Sequence, residues 1–329
     1  MKQPTANKEP IKYLAPDNLY EQITHFTKGM AVLRDKFELV IPQCTLEDIE
    51  WNHMDQMHRL SIHNTYEKGI RIANGRNFAV SLTQWKNWPF FISVTDVYVA
   101  KGLFYQTLTI AGIIFLHSII SMEPIPGTNN VKLVDEWFIA SHKLFRFLHK
   151  PLNNKLHTLN KRLQEEDEQI RQGRFVLREK GFQFKTDSPD YYNSNRLTTN
   201  TIYPPLDHDA NFLVANLTRE PTLLKAGNLE FIAAQEEHGT YHIWPAACPH
   251  EGGPLLNGKI CDAQIACPWH GLRFNAAVLS KTSPQAIRYG FEYTLHNDAI
   301  SVKQITSISC LSNQEILTGH HTQEREVAL

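Results

Sequence analysis

Four residues in the C-terminal part of the chain have the types and spacing of a metal site: Cys248-Pro249-His250 and, after sixteen residues, Cys267-Pro268-Trp269-His270. One thiolate and one imidazole from each segment make the ligand set of a [2Fe-2S] centre in which thiolates hold one iron and imidazoles the other. Such a centre carries single electrons. Neutral imidazoles in place of two anionic thiolates make the reduced form easier to reach than in an all-cysteine centre. Pro249 and Pro268 stiffen the two turns, while Gly252, Gly253 and Gly271 let backbone N–H groups approach the sulfides. The competing reading is a Cys2His2 zinc knot. Zinc pairs are usually spaced by about two to four residues, and the single residue between Cys248 and His250 fits that poorly.

The two segments, Cys248-Pro-His250-Glu-Gly-Gly-Pro-Leu255 and Cys267-Pro-Trp-His270-Gly-Leu-Arg-Phe274, resemble the Rieske proteins. High-potential respiratory members add a disulfide across the two loops, at positions that correspond to Gly253 and Trp269. Neither is cysteine. The chain is therefore more similar to oxygenase-type Rieske domains and Rieske ferredoxins, which implies a potential toward the low end of the range, about −150 mV. Respiratory quinol oxidation is disfavoured.

A Rieske centre only relays electrons, so a receiving group is sought in the first half of the chain. Asp55-Gln-Met-His58-Arg-Leu-Ser-Ile-His63 is similar to the mononuclear-iron segment of Rieske non-haem iron oxygenases. The resemblance implies His58 and His63 as iron ligands and Asp55 as an electron bridge between His58 and His270. It also implies a third ligand from an acidic helix, here Asp167 in Glu165-Glu166-Asp167-Glu168. Two imidazoles and a carboxylate on one face of Fe(II) leave positions open for oxygen, and the carboxylate offsets part of the ferrous charge. Against this stands geometry. Residues five apart lie about 140° apart on an ideal helix, so His58 and His63 share a metal only if the helix ends or widens between them. His53, His58 and His63 otherwise read as surface histidines of a polar helix, and residues 165–168 as its solvated acidic counterpart. Trp51 stands where the family often has a polar residue, four before the aspartate. His117, His142, His149 and His157 read as packed or capping imidazoles.

Composition sets the bounds. A length of 329 residues suffices for two domains. Net charge is −1 with no basic block, which disfavours nucleic acid as a partner. Five cysteines, at 44, 248, 261, 267 and 310, form no disulfide framework, and the first residues lack the apolar core of a secretory signal. A cytoplasmic location is the expectation. Gly102–Met122 is long and apolar, but Gln106, Thr107, Thr109, His117 and Ser118 and its many β-branched residues favour buried strands over a membrane span.

The elements that must position these ligands follow from periodicity. After a tail at 1–20, residues 21–186 read as an α+β unit: a strand at 36–42, a polar helix from 46 to about 66, then strand-like segments at 69–83, 90–99, 102–122 and 131–140. The Pro-Gly-Thr-Asn-Asn turn at 126–130 makes a long hairpin of the last two. Leu152, Leu156, Leu159, Leu163 and Ile170 predict a long helix over about 152–171, with Pro151 in its first turn. An antiparallel sheet wrapped on one long C-terminal helix is the helix-grip (START-like) plan, which Rieske oxygenase catalytic domains resemble. A polar, turn-rich linker (187–209), an all-β Rieske domain (210–304) and a tail (305–329) with His320-His321 complete the chain.

The resemblance implies an oxidoreductase that activates O2 at a mononuclear iron to hydroxylate, desaturate or demethylate an apolar small molecule. The order of domains is the reverse of the usual one in that family. No dinucleotide fingerprint is present, so electrons are expected from a separate NAD(P)H-dependent reductase or ferredoxin. The family also implies a homotrimer in which cluster and iron meet across subunits. The alternative is an electron-transfer and ligand-binding protein, a Rieske ferredoxin domain fused to a metal-free START-like domain.

Overall fold

A computed structural model describes residues 18–305 and 316–317, apart from 57, 76, 189–198, 237–238 and 262. The first residues of the tail, the middle of the linker, Cys310 and His320-His321 lie outside the described residues.

The alternating segments of the first half become seven strands: β1 (Ala31–Ile41), β2 (Tyr66–Asn74), β3 (Phe78–Trp85), β4 (Phe91–Ala100), β5 (Leu103–Ile110), β6 (Ile114–Pro124) and β7 (Val131–Ser141). They form one antiparallel sheet in the order β1-β7-β6-β5-β4-β3-β2. The apolar run at 102–122 is the β5–β6 hairpin, turning through Ala111 and Gly112, which both have positive φ. No helix among the described residues is long and apolar enough to cross a membrane. The Pro-Gly turn joins β6 to β7 as predicted.

The long helix runs over His149–Glu179, and its Leu152 and Leu156 pack against Trp85, Ile92 and Ile139 on the concave face of the sheet. This is the grip expected from the sequence. The helix, α4 in chain order after α1 (Leu19–Phe26), α2 (Leu46–Met54) and α3 (Arg59–Ile62), extends eight residues beyond its predicted end. Arg174 and Arg178, in that extension, both reach Asp48 near the start of α2, at 3.1 and 2.8 Å. Asp48 also closes a capping box with Thr45, so one carboxylate starts α2 and ties it to α4. The single helix predicted over 46–66 is thus two. It breaks at Asp55, whose backbone is extended.

The second half consists of short strands in three four-stranded antiparallel sheets. One comprises β11 (Thr222–Ala226), β12 (Leu229–Gln235), β13 (Tyr241–Pro245) and β17 (Ala277–Leu279). Its core is not self-contained. Trp51 of α2 and Ile170 of α4 belong to the same buried cluster as Ile232, Trp244, Cys248, Cys267 and Trp269.

Candidate functional site

The two cysteine segments fold into matched turns. Gly252 N–H donates to Cys248 O and Gly271 N–H to Cys267 O, each at 2.8 Å. Cys248 N–H donates to Gly253 O and Cys267 N–H to Leu272 O, also at 2.8 Å. Gly252 and Gly271, four residues after each cysteine, have φ of +85° and +69°, a conformation that glycine alone adopts readily. The turns bring Cys248, His250, Cys267 and His270 together, all buried. The imidazoles of His250 and His270 lie 4.9 Å apart between ring centres. Both ring nitrogens of His250 and Nδ1 of His270 are buried without a hydrogen-bond partner, and neither cysteine is in a disulfide. Buried polar atoms are rarely left so. The donor set fits a cluster held by these four residues.

The iron triad predicted from His58, His63 and Asp167 also converges. His58 Nε2, His63 Nε2 and Asp167 Oδ1 form a triangle with every side 3.2 Å. Neighbouring donors on a divalent ion with bonds of about 2.1 Å stand about 3 Å apart, so the triangle is of the size a metal requires. The helical-spacing objection disappears because α3 is a single turn: His58 precedes it, and His63 follows with extended backbone. All three residues are buried, which excludes the surface-histidine and solvated-face readings for them. Burial opposes the charged form of both His58 and Asp167. Their mutual attraction outweighs it, raising the pKa of His58 and holding Asp167 well below the ordinary carboxylate range. Asp167 Oδ1 has no hydrogen-bond partner. The three donors could hold a metal ion.

The imidazoles are oriented from behind. His63 Nδ1 is 3.0 Å from Glu166 Oε2, leaving Nε2 for the triad. Asp55 stands between the two constellations: its Oδ2 accepts from His270 Nε2–H at 2.6 Å and lies 3.4 Å from His58 Nδ1. Burial disfavours the His270 imidazolium, but Asp55 overrides it and raises its pKa well above the ordinary value. The contact expected across subunits of a trimer is made within one chain. Trp51, the departure from the family pattern, makes a second link. Its Nε1–H donates to Glu251 Oε2 at 2.8 Å, and its ring packs against Trp269 at 5.9 Å, so one side chain touches a neighbour of each ligand histidine.

The triad opens onto a cavity between the sheet and α4. Leu108, Leu116, Trp137 and Leu159 give it apolar walls. The spare histidines are partnered: His117 with Tyr105 (2.7 Å), His149 with Ser141 (2.7 Å), His157 with Asp35 (2.9 Å), while His142 caps the turn before α4.

Comparison with known proteins agrees with the loop geometry. Residues 213–289 match the Rieske [2Fe-2S] domain family. This part of the chain is a Rieske domain. The chain is similar to a segment of apoptosis-inducing factor 3 from mouse and from human, 40% identical over 40 residues in each case, 12% of this chain and 7% of those proteins. It is also similar to the oxygenase component of 3-ketosteroid-9-alpha-monooxygenase from Rhodococcus rhodochrous, 32% identical over 69 residues, 21% of this chain and 18% of that one. The chain thus spans under a fifth of these relatives. Among solved structures, norcoclaurine synthase from Thalictrum flavum aligns with a TM-score of 0.36 at 13% identity, over 43% of this chain and 94% of that one. The Zhui aromatase/cyclase from Streptomyces sp. R1128 gives 0.35 at 12% identity, over 43% and 97%.

Four functional contacts escaped the sequence reading: Glu251 beside the Rieske histidines, Glu166 behind His63, Arg171 and Asp135 in the cavity. For Glu251 and Glu166 the only signal is adjacency to a ligand residue. Asp135 had a better one. In Val131-Lys-Leu-Val-Asp135-Glu-Trp137 the inward positions alternate, and Asp135 falls on the buried side.

Proposed function

We propose that the chain is a Rieske-type non-haem iron oxygenase acting on an apolar small molecule held in the grip cavity, with electrons from a separate NAD(P)H-dependent reductase or ferredoxin. The observation that carries this reading is the position of Asp55, whose single carboxylate faces both a Rieske-cluster histidine and a histidine of the triad. A ferredoxin fused to a metal-free binding domain has no use for that arrangement.

In this reading Cys248, His250, Cys267 and His270 hold the [2Fe-2S] cluster, and His58, His63 and Asp167 hold Fe(II). Together the two groups supply reduction of O2 and oxidation of a C–H bond. Asp55 takes the Nε2–H of His270, which leaves Nδ1 of that ring free, and faces the Nδ1 side of His58, which leaves its Nε2 for the triad. Glu166 does the same for His63. Fixing the tautomer in this way is the usual role of a carboxylate behind a ligand histidine. Asp55, His58, His63 and His270 are all buried, so the path between the two sites excludes bulk water. The domain order is reversed, with 21–186 as the catalytic unit and 210–304 as the electron-accepting one. Because Asp55 and His270 meet in one chain, a homotrimer is not required for the transfer.

Metal analysis of anaerobically prepared protein tests this. Three irons per chain are expected, against two for the binding-protein alternative. His58→Ala and His63→Ala should each remove one iron and leave the visible spectrum of the cluster intact. Turnover with a surrogate reductase that survives both substitutions would show the iron assignment to be wrong.

A further inference from the structure

The concave face of the sheet carries a transverse polar row in otherwise apolar surroundings. Asp96 of β4 pairs in register with Gln106 of β5, and Gln106 with Ser118 of β6. Asp135 continues the row on β7, one inward step from Trp137, the register partner of Ser118. The two carboxylates have different surroundings. Asp96 is fully buried and saturated: it receives Arg59 at 3.0 Å and the side-chain amides of Gln56 and Gln106. Asp135 is also buried, though less completely; its carboxylate receives Asn160 Nδ2–H on Oδ2 at 3.0 Å and a hydrogen bond from Ser118, and its Oδ1 has no hydrogen-bond partner. No cation among the described residues pairs with it. A buried carboxylate with no cation beside it is costly, and burial pushes the pKa of Asp135 up to about 7 against the hydrogen bonds from Ser118 and Asn160.

From this asymmetry we infer that Asp135 anchors the hydrogen-bond donor of an otherwise apolar ligand, an alcohol, phenol or amine whose O–H or N–H donates to Oδ1. The inference rests on the proposed function for the view that this ligand is the substrate. Helix α4 adds a length. Asn160, which holds Asp135, and Asp167, in the triad, are seven residues apart, two turns on one face and about 10 Å along the axis. Leu108, Leu116, Leu159 and Leu163 line the space. The ligand therefore has its donor at one end and an apolar body of about 10 Å, and the carbon nearest the triad lies at the other end.

Calorimetric titration of the intact metal-loaded chain with 4-hydroxybiphenyl and 4-methoxybiphenyl tests the anchor, since the two differ in the ability to donate. The native protein should bind the phenol about tenfold more tightly. Asp135→Asn, close to isosteric, should cut that preference to about threefold or less. Equal affinities in the native protein overturn the inference whether or not the variant folds, as does an undiminished preference in Asp135→Asn. Three irons per chain with equal affinities would leave the oxygenase standing and remove the anchor. Two irons with the phenol preferred would do the reverse.

Discussion

The two candidate metal constellations are built in opposite ways. The Rieske ligands lie between Cys248 and His270 and are posed by two short turns whose hydrogen bonds are local. The triad gathers His58 and His63 from either side of a one-turn helix and Asp167 from a helix on the far side of the cavity. A site made of turns depends on glycines and prolines near it. A site made by convergence depends on whatever fixes one helix against another, here Asp48 with Arg174 and Arg178. The cluster should therefore survive damage that the iron site does not.

Three substitutions test that contrast. Cys267→Ala should abolish the visible absorbance of the cluster and lower iron from three per chain to one. Loss of all iron would show that the triad depends on the cluster after all. Asp48→Ala leaves the buried Arg174 and the half-buried Arg178 with Asp187 as their remaining carboxylate and should cost about 2–3 kcal/mol in denaturant unfolding. Under native conditions it should deplete the triad iron while sparing the cluster spectrum. Asp55→Asn keeps both sets of ligands. Iron content should be unchanged, while transfer from reduced cluster to triad in a single turnover slows about 10- to 100-fold.

The smallest effect concerns stability and pH. The pKa of Asp135 is raised from 3.8 to about 7, so the folded state keeps a proton that the unfolded chain releases. That contribution is fully present below about pH 4 and is lost as pH rises through about 7. Asp135→Asn has no such dependence. Its stability relative to native protein should grow from pH 5 to pH 8 by about 2 kcal/mol, less than the full shift converts to because the cavity opens to solvent. Parallel unfolding curves at the two pH values would show that this carboxyl is not desolvated.

Legibility in the sequence follows the same division. Ligands close together in the chain, with their glycines, could be read directly, and so could strands whose β-branched residues alternate. The break in the helix at Asp55 could not. It accompanies a hydrogen bond to His270, more than two hundred residues away. Asp167 looked no different from its acidic neighbours until Ile170, Arg171 and Arg174 proved to share its buried stripe. Two arginines on a buried face defeat any reading that assigns charge to solvent. The Asp135 anchor was visible in principle, since alternation along β7 turns it inward, but one carboxylate among apolar residues resembles a surface position unless the period is followed strictly.

Arg174 has one more implication. Its guanidinium lies 4.0 Å from the ring of Trp51 and 3.9 Å from that of Phe184, with no exposure to solvent. Trp51 and Phe184 are built into the packing around the Rieske domain, and the arginine belongs to the helix that supplies Asp167. The first half produced alone would bare the faces of Trp51 and Phe184 that pack against the Rieske domain, an invitation to precipitate. Grafting a foreign electron-donor module onto this scaffold would meet the same obstacle, so the redox unit and the chamber it serves are expected to have diversified together, as one heritable piece.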